Sequence, residues 1–482
     1  MRLDRCGTGT AGPCRYPATR YHRGIGTPYE NAAAVAEGAG VEVVDDPAVV
    51  GRFSSDWTGA YEGSPALLAR PGDTAALAAL LAGASRAGVP VTLQGGNTSL
   101  VAGAVPASNS ILVRFDSLSG VEEIDPGSRS VVVRAGTTLS ELASATTSLG
   151  LEPGVNLASR DSATIGGLVA TNAGGERVIR YGTMGAQVTG MEFVTPEGQL
   201  VSRLAGLPKD NAGFDAWRLF PGSEGVIGAI TRVRLKLWLR PTARVAILAG
   251  FPSLDAMITA FTAIYRATGE LVEAADYFFS DGMDLVCEQF DLEPPLRAPA
   301  YLLIQLASSL LDEEGLLAKV GGLFGDAAVV ATGAGSLSRL WRFREDHALA
   351  IARLGSPLKI DLSLPLDRLA AFRSATAELL ASDPLVERCL FFGHLAEGNS
   401  HLNVILREGG GREEVMGRVF TSASRFGGSI GAEHGIGRTK RQWMHLARSE
   451  AEIALMRRLK LAMDPASILN PGVLFPEAIR GG

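Results

Sequence analysis

Several features that define common classes of protein are scarce in this chain of 482 residues. Its four cysteines are scattered and include no Cys-x-x-Cys pair, so the sequence predicts neither a disulfide framework nor a zinc knuckle. A reducing cellular interior suits that pattern. No apolar run is long enough to cross a bilayer, so we expect no transmembrane segment. The formal net charge of −6, without clustered basic residues, argues against a nucleic-acid partner.

The beginning of the chain is poor in apolar residues and carries arginines among Gly, Thr and Pro. It has no apolar core of the kind that a secretory signal needs. We expect residues 1–45 to be a disordered leader or a mis-assigned start, with an Arg-rich transit peptide as the alternative. The expected location is the cytoplasm, or the mitochondrial matrix if the segment is a transit peptide.

The rest of the chain alternates strand and helix patterns, as an α+β protein does. A helix is predicted over Thr74–Ala87 from its apolar spacing, and a half-buried antiparallel strand over Ile230–Leu239. Arg240-Pro241 closes this block, and further strand–helix units beyond it indicate a second α+β domain. A final helix should end at Asp464-Pro465.

Three glycine-rich stretches suggest a ligand with phosphates. The chain has no Rossmann fingerprint, because GAGSLS lacks the third glycine. The stretches are QGGNTSL (Gln94–Leu100), SATIGGLVATNAGG (Ser162–Gly175) and GSEGVIGAIT (Gly222–Thr231). Small residues let backbone N–H groups approach a ligand closely, and such groups hold phosphates well. The alternative is a set of ordinary glycine-rich turns.

The segment GHLAEGNSH contains two of the six histidines. CLFF before it and HLNVIL at its end look like strands, so a hairpin would bring His394 and His401 side by side, where they could share a metal ion. Glu433 in GAEHGIG is a candidate third ligand, and His434 would then be free to act as a base. The alternative is that each histidine is a surface or hydrogen-bonded core residue.

These motifs together carry a family resemblance that extends from about Asp56 to Pro476. The matching text is QGGNTSLVAGAVP, EPGVNLASRDSATIGGLVATNAGG, RYGTMGAQVTGMEFVTPEGQLV, LPKDNAGFD, LFPGSEGVIGAITRVRLKL, KIDLSLP, GHLAEGNSHLNV, GSIGAEHGIGRTK and DPASILNPG. The sequence resembles the FAD-binding family of vanillyl-alcohol oxidase and p-cresol methylhydroxylase type. Within it, the chain is similar to the branch of D-2-hydroxyglutarate dehydrogenase, D-lactate dehydrogenase (cytochrome) and the glycolate oxidase flavin subunit.

The resemblance implies an α+β fold with a two-part FAD-binding domain over residues 46–241. A cap domain with an antiparallel sheet would span 242–425, and 426–482 would return to the flavin as a helical segment. The residues expected at FAD are Gln94, Gly95, Gly96, Asn97, Thr98, Ser99, Pro153, Gly154, Ser162, Ile165, Gly166, Gly167, Asn172, Gly174, Gly175, Gly225, Val226, Ile227 and Asn470. Some relatives attach FAD through a histidine in the first glycine motif; Asn97 and Thr98 fill that stretch here, so non-covalent FAD is expected.

The implied activity is oxidation of a D-2-hydroxy acid, with D-2-hydroxyglutarate ahead of D-lactate and glycolate. His394, His401 and Glu433 match the family's divalent-metal ligands (zinc first, then manganese or iron), and His434 matches its proton acceptor. Arg344, Lys359 and Asn403 match its substrate-binding residues.

Two departures from the family pattern affect the substrate pocket. Ala348 stands where the hydroxyglutarate enzymes carry Thr, and the metal loop contains Ala396, Glu397 and Ser400 instead of the usual residues.

Several alternatives stay open at this point. An FAD oxidase would pass electrons to O₂, whereas a dehydrogenase would use electron transfer flavoprotein, a cytochrome or a quinone. A zinc hydrolase would leave the glycine motifs without a task, and a regulatory module would not need an intact histidine site. A homodimer is possible, since dimers are common among soluble oligomers.

Overall fold

The computed structural model describes residues 14–15, 27–324 and 327–476, whose apolar side chains form two large cores. The first core draws on residues between 32 and 237 and again on 468–473. The second draws on residues between 243 and 430, and a smaller cluster covers the other face of its sheet. The chain therefore builds one region, leaves it for a second, and returns to the first.

The prediction of a disordered leader over residues 1–45 is wrong for its second half. A helix begins at Pro28 and is capped by a reciprocal pair of hydrogen bonds between Thr27 and Glu30. Its Ala32 and Ala36 are fully buried in the first core. Small residues allow this helix to lie close to its neighbour, so the segment is folded despite having few large apolar side chains. Apart from 14–15, residues before 27 lie outside the described part of the chain.

The first region contains a four-stranded sheet in the order β2-β4-β6-β5 and a five-stranded antiparallel sheet in the order β11-β10-β12-β8-β7. Its strands and helices are β1 (Cys14–Arg15), α1 (Pro28–Gly38), β2 (Glu42–Val44), α2 (Pro47–Gly51), β3 (Tyr61–Glu62), β4 (Leu67–Arg70), α3 (Thr74–Ala87), β5 (Val91–Gln94), β6 (Ile111–Arg114), β7 (Val121–Asp125), β8 (Ser130–Arg134), α4 (Leu139–Thr147), β9 (Leu151–Glu152), α5 (Ile165–Thr171), α6 (Val178–Tyr181), α7 (Met184–Gln187), β10 (Val188–Val194), β11 (Leu200–Arg203), β12 (Ala229–Lys236) and β13 (Trp238–Leu239). A 3₁₀ segment spans Ala216–Leu219.

A helix and a strand that the sequence predicted in this region agree closely with the structure. The predicted helix Thr74–Ala87 is α3, which begins after the capping Asp73 and ends at Gly88 in the left-handed conformation. The alternating strand is β12, where buried and half-buried residues alternate as expected. Local propensity and burial agree at both places, so the sequence was sufficient.

The second region is built on a seven-stranded, fully antiparallel sheet in the order β17-β14-β16-β15-β19-β20-β18. Its elements are β14 (Ala243–Phe251), α8 (Leu254–Thr268), β15 (Val272–Phe279), α9 (Ser280–Phe290), β16 (Ala300–Ser308), α10 (Glu313–Val320), β17 (Ala328–Thr332), α11 (Ala334–Glu345), α12 (His347–Ala352), β18 (Leu358–Ser363), α13 (Leu366–Ala381), β19 (Val386–His394), β20 (Asn399–Leu406), α14 (Arg412–Arg425) and α15 (Glu450–Met463). Further 3₁₀ segments span Gly269–Leu271 and Arg441–Leu446.

The last part of the chain returns to the first region. Helix α15 ends at Met463 with Asp464 as its C-cap, where the sequence predicted the stop, and Leu469 then forms a parallel bridge to Val91 of β5. Asn470 accepts a hydrogen bond from the backbone of Leu93 and donates one to the carbonyl of Glu224. The α+β class is confirmed, and none of the helices in the described residues is both long and apolar enough to cross a membrane.

Candidate active site

Four strands of the seven-stranded sheet in the second region carry a row of two carboxylates and two histidines. The neighbouring strands β15 and β19 pair Asp276 with His394, and β18 and β20 pair Asp361 with His401. The predicted hairpin joins β19 to β20, and the two imidazole centroids are 5.4 Å apart. Strand register thus places each histidine beside one carboxylate, because directly paired residues project from the same face.

The three predicted metal ligands converge. Ligand atoms of His394, His401 and Glu433 all lie within 4.8 Å of one another. The Nε2 atom of His394 is 3.1 Å from a carboxylate oxygen of Glu433. Two imidazoles and one carboxylate form a donor set that suits zinc, manganese or iron with positions left for substrate.

The carboxylate of Asp276 is paired both with the imidazole of His394 and with the guanidinium of Arg344. Its Oδ1 atom is 2.7 Å from Nδ1 of His394, which leaves Nε2 of that ring facing Glu433. Its Oδ2 atom lies 2.8 Å from Nε of Arg344, whose guanidinium covers the ring of Phe392. An outer carboxylate that fixes the tautomer of a metal-binding imidazole is a recurrent arrangement.

Asp361 anchors the loop that carries Glu433 and His434. Its Oδ2 atom accepts hydrogen bonds from the backbone N–H groups of Ala432, Glu433 and His434. The side chains of His401 and His434 approach the same carboxylate at 3.4 and 3.3 Å through their Nδ1 atoms. One buried aspartate therefore sets the position of a ligand, of the loop backbone and of the candidate base.

The protonation of these groups follows from burial and neighbouring charge. Burial would raise the pKa of Asp361, but His434, Lys440 and His401 hold that pKa well below its usual range. Burial lowers the pKa of His401 to about 4, which keeps its ring neutral. Burial alone would lower the pKa of His394, yet the Asp276 and Glu433 carboxylates raise it well above the ordinary value. Within this cluster, the negative carboxylates and the neighbouring positive groups therefore stabilise one another.

A cavity of about 550 Å³ opens beside this cluster and extends along the glycine-rich loops of the first region. Its second-region wall includes Lys359, Asp361, His401, Asn403, Glu433 and His434. The predicted cofactor residues on its wall are Gly95, Gly96, Asn97, Thr98, Ser99, Gly166, Gly167, Gly174, Gly225 and Asn470. One space therefore brings the glycine motifs and the histidine motifs together.

The other predicted cofactor residues do not line the cavity. They are Gln94, Pro153, Gly154, Ser162, Ile165, Asn172, Gly175, Val226 and Ile227. Several have supporting contacts: Gln94 donates to the carbonyls of Phe53 and Ala104, and Asn172 accepts from the backbone of Gly185.

Close contact between two loops explains one glycine directly. A Cβ atom on Gly96 would lie 1.9 Å from the carbonyl oxygen of Ser162, so no larger residue fits there. The loops so joined present Asn97 and Thr164 to the cavity. Within the described residues, Asn97 Oδ1 and Thr164 Oγ1 are buried without a hydrogen-bond partner. Buried polar atoms are normally paired, so these two atoms suit a polar ligand such as FAD.

Only two of the three predicted substrate-binding residues line the cavity. Lys359 and Asn403, which are paired across β18 and β20, both line the cavity. Arg344 does not; it is buried against Asp276. Nearby Ala348 does reach the cavity, whereas His347 is fully buried and its ring packs against aromatic side chains.

Glu224 joins the two regions at the cavity. Its two carboxylate oxygens accept hydrogen bonds of 2.8 Å from the backbone N–H groups of Ile436 and Gly437. These residues follow His434 in the loop held by Asp361. Burial raises the pKa of Glu224 to about 7, although those two N–H groups oppose the rise. The loop that carries Glu433 and His434 is therefore held from both sides.

Comparisons with known proteins agree with this arrangement of site and fold. Residues 65–203 match the FAD binding domain model, and residues 240–474 match the model of the C-terminal domain of FAD linked oxidases. A D-2-hydroxyglutarate dehydrogenase of Xanthomonas citri pv. viticola is 33% identical, over 89% of this chain and 93% of its own length. The chain belongs to the D-2-hydroxyglutarate dehydrogenase family of FAD-linked oxidases. It is an FAD-dependent oxidoreductase, and the family predicted from the sequence is confirmed.

Other members of the family are similarly related. The mitochondrial D-2-hydroxyglutarate dehydrogenase of Bos taurus is 33% identical over 97% of this chain and 87% of its own length. The enzyme of Stutzerimonas stutzeri is 30% identical over 90% of this chain and 96% of its own length. A solved structure of alkyldihydroxyacetonephosphate synthase aligns with 89% of this chain and 82% of its own, at 16% identity and a TM-score of 0.66. That likeness supports the two-region FAD-oxidase fold predicted here.

Sequence reasoning missed four residues at the site: the buried carboxylates Asp276, Asp361 and Glu224, and Trp57, which lines the cavity. The two aspartates interrupt largely apolar strands, AADYFF and KIDLSLP, and a buried charge in such a strand is a usable signal. Glu224 and Trp57 lacked a comparable signal because their contacts depend on the packing of distant segments.

Proposed function

We propose that this enzyme oxidises a D-2-hydroxy acid to the 2-oxo acid, with D-2-hydroxyglutarate as the first candidate substrate. The observation that carries the proposal is that His394, His401 and Glu433 converge beside a cavity that His401, Glu433, His434 and the glycine loops line together. The names of the curated relatives favour D-2-hydroxyglutarate over D-lactate and glycolate.

The donor set fits a divalent metal ion. His394, His401 and Glu433 would hold it, and zinc is our first candidate ahead of manganese and iron. When bound, such an ion lowers the pKa of the substrate hydroxyl and fixes the orientation of the substrate. Asp276 and Asp361 hold the two ligating rings on their Nδ1 sides, which leaves Nε2 of each ring for coordination. Because a proton on His394 competes for the same lone pair, metal binding should weaken at low pH.

The first region fits non-covalent FAD. The glycine loops, the unpartnered oxygens of Asn97 and Thr164, and the volume of the cavity favour a large polar ligand there. Neither Asn97 nor Thr98 offers the imidazole that would bind FAD covalently. FAD, when bound, supplies the acceptor of the hydride that leaves C2 of the substrate.

His434 is the proposed proton acceptor. It lines the cavity, and its Nδ1 atom faces Asp361, so Nε2 is the nitrogen available to the substrate hydroxyl. Asp361 stabilises the imidazolium that forms when the proton arrives. General-base catalysis of this kind contributes about 100- to 10,000-fold in rate.

Lys359 and Asn403 are the proposed substrate contacts. The ammonium of Lys359 would bind a carboxylate, and the Asn403 amide would bind a substrate oxygen beside the metal ligands. Because Arg344 is already paired with Asp276, we propose that it acts on the substrate indirectly, by holding the carboxylate that orients His394.

Anaerobic reduction of the flavin tests the proposal. The purified enzyme, with FAD and each candidate metal supplied in turn, should show flavin absorbance that bleaches with D-2-hydroxyglutarate faster than with D-lactate, glycolate or the L-isomers. If no 2-hydroxy acid bleaches it, the proposed function is wrong. Reoxidation of the reduced enzyme by electron transfer flavoprotein, cytochrome c, a quinone analogue or O₂ then identifies the acceptor and separates a dehydrogenase from an oxidase.

A further inference from the structure

Trp57 lines the cavity, and packing in a hydrophobic core does not explain why this residue is a tryptophan. The residue is 63% exposed, so burial in a core does not explain its large apolar side chain. It lines the same cavity as Lys359, and the Nζ atom of Lys359 lies 4.7 Å from the centroid of its indole ring. This distance is within the range at which an ammonium is attracted to an aromatic face.

The Lys359 ammonium lines the cavity without a carboxylate partner among the described residues. Of the described residues that line the cavity, it is the only Lys or Arg. No salt bridge joins it to a carboxylate within the described part of the chain, and burial lowers its pKa without any opposing acidic neighbour. Arg344 differs, because Asp276 already neutralises it. A half-buried ammonium without a carboxylate partner is stabilised when a negative ligand binds beside it.

The backbone around Trp57 is fixed by the first region. Buried Asp56 accepts hydrogen bonds from the Thr58 hydroxyl and the Tyr61 backbone. The carbonyl of Ser55 accepts a hydrogen bond from the side chain of Asn97 in the first glycine loop. The indole is therefore attached to the cofactor side of the cavity, while Lys359 is attached to the sheet on the other side.

We propose that Trp57 is a positioning residue that holds the Lys359 ammonium where it binds the substrate carboxylate. The proposal rests on the function proposed above and adds a residue from the opposite region to substrate selection. The flat indole face restrains the flexible lysine chain without neutralising its charge, which a carboxylate partner would do. The ammonium is thereby kept ready for an anionic ligand.

The test compares Trp57→Leu and Trp57→Phe with the wild-type holoenzyme. Trp57→Leu should raise the KM for D-2-hydroxyglutarate and the Kd for its 2-oxo acid by about 3- to 30-fold, with kcat changed less than about twofold. Trp57→Phe should recover much of the loss because a benzene ring keeps part of the attraction. Phe214→Leu, which removes an exposed aromatic ring outside the cavity wall, is the matched control and should behave as wild type.

A double-mutant cycle with Lys359→Met separates positioning from general packing. If Trp57 acts through Lys359, Trp57→Leu should add almost nothing in the Lys359→Met background. Independent, multiplicative effects would overturn the proposal, and so would an unchanged KM in Trp57→Leu or a loss of flavin from that variant alone. Failure of the wild-type enzyme to be reduced would instead reject the proposed function; the Kd of the 2-oxo acid, measured from the flavin spectrum, would still test the anion contact.

Discussion

The two walls of the cavity are built in different ways. On the first-region wall, glycines and small side chains bring backbone close to the cavity, and oxygens such as Asn97 Oδ1 lack a partner among the described residues. On the second-region side, His401 and His434 on the wall and His394 next to them each lie beside a buried aspartate. The first wall is suited to receive a large ligand, whereas the second has its groups fixed in advance for chemistry.

The difference shows how specificity is distributed. A wall made of backbone recognises shape and phosphate, and such recognition requires little charge of its own. A wall made of histidines must instead control tautomers and charge, which is the task of Asp276 and Asp361. Substitutions on the two walls should therefore separate flavin binding from metal binding and proton transfer.

The largest effect should come from removing the proposed base on the second wall. His434→Ala should slow flavin reduction by about 100- to 10,000-fold because no other side chain replaces its proton-accepting nitrogen. The flavin spectrum and the metal content should remain those of the wild type. Rapid-mixing absorbance and elemental analysis measure these quantities, and the exposed His445→Ala serves as control. Reduction at the wild-type rate would remove His434 from the mechanism.

A smaller effect should follow from weakening the orientation of one ligand. Asp276→Asn removes the negative charge beside His394 and Arg344, and we expect metal affinity to fall about 10- to 100-fold while FAD stays bound. Metal titration of the stripped enzyme measures the change. Asp383→Asn is a matched control, since Asp383 is also a buried carboxylate paired with an arginine, Arg418. Equal metal affinity in both variants would contradict the role assigned to Asp276.

The smallest effect should come from a glycine on the first-region wall, and it should weaken FAD binding instead of metal binding. Gly96→Ala would push its Cβ atom against the Ser162 carbonyl, and overpacking of this kind costs about 1–3 kcal/mol. Because part of that strain is absorbed by loop movement, we expect FAD to bind about tenfold more weakly, with metal affinity unchanged. Flavin fluorescence on dilution measures the release. Gly72→Ala, at an open turn, is the control, and a variant that loses metal before FAD would break the comparison between the walls.

Much of the fold and the reactive centre could be predicted because their signals are local. The capped helix Thr74–Ala87 and the hairpin that joins His394 to His401 both follow from nearby residues. The helix and the hairpin need only short-range patterns. Glu433 could be placed with them through the family resemblance, which its glycine-rich loop and neighbouring histidine support.

The remaining features depend on long-range packing. The pairing of Arg344 with Asp276 rather than with the cavity is set by a helix lying on a strand, which no local pattern specifies. The folded helix Pro28–Gly38 was missed because alanines, and not large apolar residues, make its buried face. The domain boundaries 46–241, 242–425 and 426–482 stay predictions, although the contacts of Leu469 and Asn470 support a returning final segment.

The carboxylate of Glu224 has a consequence for how the enzyme is made. Ile436, whose backbone it holds, follows it by 212 residues, so the contact can form only after most of the chain has been synthesised. The hairpin with His394 and His401 is synthesised before the loop that adds Glu433, and the segment with Leu469 and Asn470 that completes the first region is synthesised last. We therefore expect the two walls of the cavity to be completed together, at the end of synthesis.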